Sequence, residues 1–366
     1  MPKLKKALIY SGCFSFIGVT VLLLARSFSW FGEWYASHIF PAFPETIGRL
    51  MSVIPFSVFE ILVYALAACI ALYILYFLLI LIVPLWRRHV KKAALRAFCA
   101  ALLIASFGFM MLILTCTVNY GRDTFAELTG RELMPHSKEN LLTLCELLIK
   151  DLDELSEEIK TGDWGTLSLS DIDVKKEAGV SMRLLGQAEE VLAGYYPNPK
   201  PVIASKFMSM INITGVYSAF TVEANYNDHI PDYIIPYTIC HELAHLKGFI
   251  REDEAGFIAY LACRMSQSAE FRYSGAVNAL SYALNAYRRE ATPEEYAALA
   301  ARVPAQVARD FWMGRAYFRQ FQGKIAEIAN KANDNYLKAN AQKDGVKSYG
   351  RMVDLLLAEY RIGVIY

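Results

Sequence analysis

The residues best equipped for chemistry are His241, Glu242 and His245, set in the run His241-Glu242-Leu243-Ala244-His245. On a helix, positions i and i+4 lie one turn apart, so both imidazoles leave the same face and can share one metal ion. Two neutral imidazoles and a carboxylate suit Zn2+, one ion per chain, at about 2.0–2.2 Å with a fourth position left for water. Glu242 stands beside that face, where it could take a proton from such a water. These are two of only six histidines in 366 residues. The turn before them, with Ile234, Ile235, Thr238 and Ile239, is apolar enough to bury the helix. Buried imidazoles need partners, and one metal would serve both.

A third ligand requires a break in the chain, because a straight helix would carry position 252 about 10 Å beyond His245. Gly248 can supply it by adopting the left-handed conformation that ends a helix and turns the chain back. Glu252, Asp253 and Glu254 come next, ahead of a new helical pattern from Ala255 to Tyr260. One of these acids is well placed as the ligand, and some of them also answer the dipole of the helix they open. Cys240 points about 100° away around the helix and reads as a core thiol. His136 and His229 read as surface or structural residues.

Such a site must be positioned by the rest of the chain, which is apolar: 55% of residues are hydrophobic and 20% charged. The excess is concentrated in three stretches of the first third, and residues 7–25, 61–86 and 97–121 carry no charge. Each is long enough to cross roughly 30 Å of hydrocarbon as a helix. Three transmembrane helices are therefore predicted at about 7–25, 61–84 and 97–118, forming a membrane domain over 1–121 in contact with lipid. No small-x-small cleavage pattern follows Leu24, so the first span is expected to be a retained helix rather than a signal peptide. Lys3, Lys5 and Lys6 precede it, and Arg87, Arg88, Lys91, Lys92 and Arg96 fill the loop between the second and third spans without an acid. The intervening segment carries Arg26 and Arg49 against Glu33, Glu45 and Glu60. By the positive-inside rule the N-terminus is cytoplasmic, and residues 122–366 are extracytoplasmic.

Thirty-seven basic against 36 acidic residues leave a net charge of +1, so no basic field exists to hold nucleic acid. The outer region is mildly acidic and reads mainly as helix, over Ser137 to about Lys160, over about 171–194, and from near Asp232 onward with breaks near Gly248, Thr292, Pro304 and Gly345. Val202 to Asn227 is rich in β-branched and aromatic residues and suits two or three short strands, which makes the region α+β. Its three cysteines, Cys145, Cys240 and Cys263, allow at most one disulfide.

His241 to Gly248 followed by Glu252-Asp253-Glu254-Ala255 resembles the zincin superfamily of zinc metallopeptidases, in particular bacterial membrane proteins classified as DUF3810. Gly215 to Asn227, Asn335 to Asn340 and Asp344 to Arg351 resemble further segments of that family. The resemblance implies a mainly helical, zincin-like α+β domain after the three spans. Other zincins take their third ligand from a Glu-x-x-Ala-Asp/Asn motif, which here selects Glu252, with Gly256 where Asp or Asn is usual. Glu254 stays open as an alternative ligand or as a support to the ligands. The likeness also implies an edge strand over the metal that pairs with an extended substrate. Phe220 to Tyr226 is the candidate strand, with Phe220, Glu223 and Asn225 as possible substrate-binding residues. Tyr336, Tyr349 and Arg351 are candidate donors to a developing oxyanion.

The function expected is that of a membrane-anchored zinc metallopeptidase acting on a peptide or protein outside the cytoplasm, with Glu242 as general base. The rival is a non-catalytic, zinc-stabilised binding or sensor domain. Substrate and oligomeric state are not encoded in these features. The charge asymmetry predicts that a reporter active only outside the cytoplasm should work when fused after Gly130 and stay silent when fused at His89. Reversed signals would put the histidines in the cytoplasm.

Overall fold

In a computed structural model of the chain, residues 2–82, 89–133, 136–339 and 350–362 are described. The fold is mostly helical with one small sheet. The first part holds α1 (Pro2–Ser27), α2 (Ser29–His38), α3 (Arg49–Ser52), α4 (Val58–Ile82) and α5 (Val90–Thr115). Three of these, α1, α4 and α5, are long and apolar enough to cross a membrane. Helices α1 and α5 run in the same direction: Phe14 meets Phe107 edge-on at 5.4 Å, and a Cβ on Gly18 would lie 2.9 Å from the Phe109 ring. The segments that follow them then meet, since a Cβ on Gly32 of α2 would lie 2.0 Å from the carbonyl oxygen of Gly121, just beyond α5. Part of the basic loop, including Arg87 and Arg88, lies outside the described residues.

The second part holds α6 (Phe125–Thr129), α7 (Lys138–Glu158), α8 (Val174–Ala188), α9 (Ser205–Met210), α10 (Ile235–His245), α11 (Glu252–Met265) and α12 (Ala269–Glu290). It ends with α13 (Pro293–Ala300), α14 (Ala305–Arg319), α15 (Lys324–Ala339) and α16 (Gly350–Glu359). Ser137 caps α7 by accepting from the Asn140 N–H at 3.2 Å, and Leu141, Leu144, Leu148 and Leu152 are buried along one stripe. Helices α10 and α11 bury nearly all round, which is why they lack a polar face, and α12 buries one side with Phe271, Val277, Leu280 and Leu284. The three outer cysteines are free and buried, with Cys240 and Cys263 close to each other in the core.

Three strands do form, but they are short: β1 (Lys200–Pro201), β2 (Gly215–Ser218) and β3 (Glu223–Tyr226), in the order β1-β3-β2. Strand β3 is parallel to β1 and antiparallel to β2. Part of the segment expected to be strand is the helix α9, where buried Ser205, Met208 and Ser209 recur at spacings of three and four. The helix expected to reach 194 stops at Ala188, because Gly186 abuts the Leu192 carbonyl and the chain folds over it in a 3-10 turn.

Two carboxylates fasten the helical part to the apolar helices. Glu223 on β3 is fully buried, accepts from the Val58 and Phe59 N–H groups at 3.1 and 2.8 Å, and pairs with buried Lys200. It thus caps the N-terminus of α4, where unpaired donors and the helix dipole favour an anion. In return, Glu60 in the first turn of α4 accepts from the Ile203 and Ala204 N–H groups at 2.8 and 2.7 Å, at the start of α9. Removing Lys200 leaves Glu223 uncompensated, so Lys200→Met should destabilise the protein by about 3–5 kcal/mol. Lys200→Met combined with Glu223→Gln should recover much of that loss, measured by thermal unfolding in detergent, because the amide oxygen still accepts from α4.

Candidate metal centre

Helix α10 ends at His245, and three residues later Gly248 takes a φ of +83°. That left-handed turn sends the chain back so that α11 opens at Glu252 against the two histidines. His241 Nε2 lies 3.0 Å from one Glu252 carboxylate oxygen, and His245 Nε2 lies 3.9 Å from the other. Ligand atoms of all three residues fall within 4.8 Å of one another. His245 Nδ1 is 2.7 Å from the Phe249 carbonyl oxygen. A carbonyl only accepts, so Nδ1 carries the proton and the Nε2 lone pair is left facing Glu252. Two imidazoles and one carboxylate converging on a point form a donor set that fits zinc.

The electrostatics bind the three together. Burial works against the Glu252 carboxylate, but the His241 hydrogen bond and the nearby imidazoles outweigh it and hold its pKa down at about 2. Burial likewise works against a charged His241, and the Glu252 hydrogen bond and charge overcome it, raising the pKa. His245 is lowered to about 4 by burial and by His241. Burial pushes Glu242 up to about 8, the direction that suits a group meant to hold and release a proton near neutrality.

Strand β2 lies directly over Glu242. A Cβ on Gly215 would fall 2.5 Å from Glu242 Oε1 and 2.8 Å from Thr238 Cγ2, so only glycine allows this approach. Thr214 and Ser218 carbonyls accept from Asn227 and Val222 on the β3 side. By alternation, Gly215 and Tyr217 turn their backbone groups the other way, and the Tyr217 N–H meets the Glu242 carboxylate. Along this edge runs a cleft of about 700 Å³ bordered by His241, Glu242, His245 and Glu252.

Other expectations from the sequence resolve differently. Strand β3, within the proposed edge segment Phe220 to Tyr226, is central because β1 takes its other side. The free edge at the cleft belongs to β2. Phe220 precedes β3 in a turn and does border the cleft. Glu223 faces α4 and Lys200, and Asn225 is buried with its amide donating to the Val216 and Glu223 carbonyls, so neither reaches the cleft. Arg351 pairs with Asp253 at 2.9 Å, away from the histidines. Tyr336 lies on α15, and Tyr349 falls outside the described residues. Glu254 accepts from the Phe125 N–H at 3.0 Å and pairs with Arg251 at 3.2 Å, fastening α11 to the segment that leaves α5.

Two tyrosines at the cleft have no signal in the sequence. Tyr282 of α12 and Tyr237 of α10 both border it, with a hydrogen bond between their side chains and the Glu252 charge acting on Tyr282. Gly256 explains Tyr237: a side chain at 256 would meet the Tyr237 hydroxyl at 2.7 Å. The space a side chain at 256 would need is thus filled by a phenol from the histidine helix. No local spacing marks either tyrosine, since the partner helices are far apart in sequence.

With the full chain purified in detergent, about one zinc per chain is expected, and His241→Ala, His245→Ala or Glu252→Ala should each lose most of it. Glu254→Ala should keep the zinc but unfold at lower temperature, because the Phe125 N–H and Arg251 lose their partner. Zinc lost from Glu254→Ala and kept in Glu252→Ala would reverse the assignment.

No curated protein and no solved structure matches this chain. Residues 35–357 match the family described as "Protein of unknown function (DUF3810)". That match takes in α4, α5, the sheet, both histidines and Glu252, and the chain belongs to the DUF3810 family.

Proposed function

We propose that the protein is a membrane-anchored zinc metallopeptidase that hydrolyses peptide bonds outside the cytoplasm. The observation that carries this reading is the convergence of His241, His245 and Glu252 beside a buried Glu242, under the free edge of β2. His241, His245 and Glu252 would hold the ion. Zinc at such a site supplies a Lewis acid for the scissile carbonyl and lowers the pKa of water to about 7.

Everything else is work for the chain. The Gly215 N–H and carbonyl and the Tyr217 carbonyl, which face away from β3, offer an extended peptide the pairing of one more strand, which fixes its carbonyl relative to the histidines. Glu242, steadied by the Tyr217 N–H, takes a proton from water and passes it to the leaving amine. Tyr282, on the cleft wall, joins Tyr336 and Tyr349 as a candidate for the oxyanion-donor role, whereas Arg351 is paired with Asp253. The extracytoplasmic location follows from the basic residues flanking the spans.

Glu242→Gln tests the reading against a binding or sensor module. The amide is nearly isosteric and Glu242 is not a ligand, so zinc should stay. Peptide cleavage should fall by roughly 10²- to 10⁴-fold. If cells carrying Glu242→Gln fully restore a deletion phenotype, hydrolysis is not the physiological function.

A further inference from the structure

We propose that the metal cleft opens at the lipid–water boundary and that its substrates are polypeptide segments within a few residues of a membrane anchor. The chemistry rests on the peptidase reading; the location of the cleft does not.

The ends of the apolar helices form part of the cleft itself. Phe59 from the first turn of α4 borders it, as do Leu112 in the last turn of α5 and Cys116 just beyond. Tyr217 ties the two together: its hydroxyl donates to the Thr115 carbonyl at 2.9 Å, while its ring centroid is 6.2 Å from that of His245. Phe220 reaches further down. It stacks on Phe59 at 6.4 Å, and its ring is 3.6 Å from where a Cβ on Gly108 would be. Gly108 is seven residues before the end of α5, about 10 Å along the helix, so this cleft residue sits at the depth of the hydrocarbon.

Exposed apolar side chains stand around the mouth, among polar ones such as Asn212, Asn330 and Asn333. Glu60 fixes the start of α9 at the first turn of α4, and there Ile203, Phe207 and Met210 are 73%, 57% and 41% exposed. Asn212, just after α9, donates to Asn330 of α15 at 3.4 Å, which brings α15 to the same rim. Ala329 and Ala332 of α15 border the cleft, and Ile325 and Ile328 on the same helix are 59% and 68% exposed. Single exposed hydrophobics are ordinary, but five around one opening, level with the ends of apolar helices, match a surface that meets lipid. The bilayer that holds α4 and α5 is therefore the occupant.

Tyr217 sets the reach. One tyrosine separates the last carbonyl of α5 from His245, on the order of 10 Å, which an extended chain covers in about three or four residues. A segment leaving the bilayer beside α4 and α5 would meet the histidines almost at once.

Two measurements decide the matter. A photo-crosslinking p-benzoylphenylalanine replacing Phe207, or separately Phe220, in the full chain in lipid nanodiscs should yield peptides carrying phospholipid. The same residue replacing Trp164, which is 79% exposed in the loop held by the far end of α14, should yield none. No adduct at either site, or equal adduct at 164, overturns the location. In the second measurement, new N-termini are mapped in membranes from cells with the parent protein and with Glu242→Gln. Cuts that depend on Glu242 should lie within roughly four to ten residues of a span or lipid anchor. Cuts scattered through soluble domains would overturn the substrate class and leave the peptidase reading standing. No Glu242-dependent cut at all, with zinc retained, would overturn the peptidase reading itself.

Discussion

A carboxylate as buried as Glu223 survives only where donors converge on it, and here the donors come from both parts of the molecule: Lys200 from β1 and two backbone N–H groups from the start of α4. That single junction fixes where the sheet stands relative to an apolar helix. The Glu60 contacts to Ile203 and Ala204 repeat the arrangement in reverse, so the two parts cap each other. Side-chain oxygens do here what water does at an exposed helix end. The consequence is geometric: β2, which hangs on β3, cannot shift with respect to the apolar helices without breaking charged hydrogen bonds.

Features set by neighbours along the chain are legible in the amino-acid sequence. The spacing of His241 and His245 on one helix face, the left-handed turn at Gly248 and the apolar helices are all local, and each is present in the fold. Features set by distant partners are not legible in this way. Glu223 reads in sequence as a cleft residue, because a strand offers two faces and nothing local says which one meets Lys200. Arg351 finds Asp253, and Tyr282 reaches the histidine helix, only through the packing of α16 and α12 against α11. The edge strand is misplaced for the same reason: strand order depends on β1, a two-residue strand with almost no pattern of its own.

The acids that open α11 divide their work by direction around the helix. Successive residues point about 100° apart, so Glu252, Asp253 and Glu254 face three different partners. Glu252 meets the histidines, Asp253 meets Arg351 and Glu254 meets Arg251 and the Phe125 N–H. An acidic first turn suits the helix dipole, yet here each member also makes a tertiary contact. Glycine at 256 then leaves room for Tyr237, whose ring is 6.3 Å from that of His241 and whose hydroxyl takes the space a side chain on α11 would need.

Four residues make a weak strand by themselves, and β2 is held by more than its ladder. Tyr217 shows how. Its hydroxyl is bonded to the Thr115 carbonyl at the end of α5, and Thr115 in turn donates to the Ala219 carbonyl just past the strand. Its backbone N–H meets Glu242. Gly215 presses against the same glutamate from the other end of the strand, closer than any side chain would permit. The position of Glu242 is therefore referred, through one short strand, to the end of an apolar helix rather than to the core of the helical part alone. The role proposed for Glu242, taking a proton within about 3 Å, gains from such double anchoring, and the anchoring couples Glu242 to whatever plane α5 occupies.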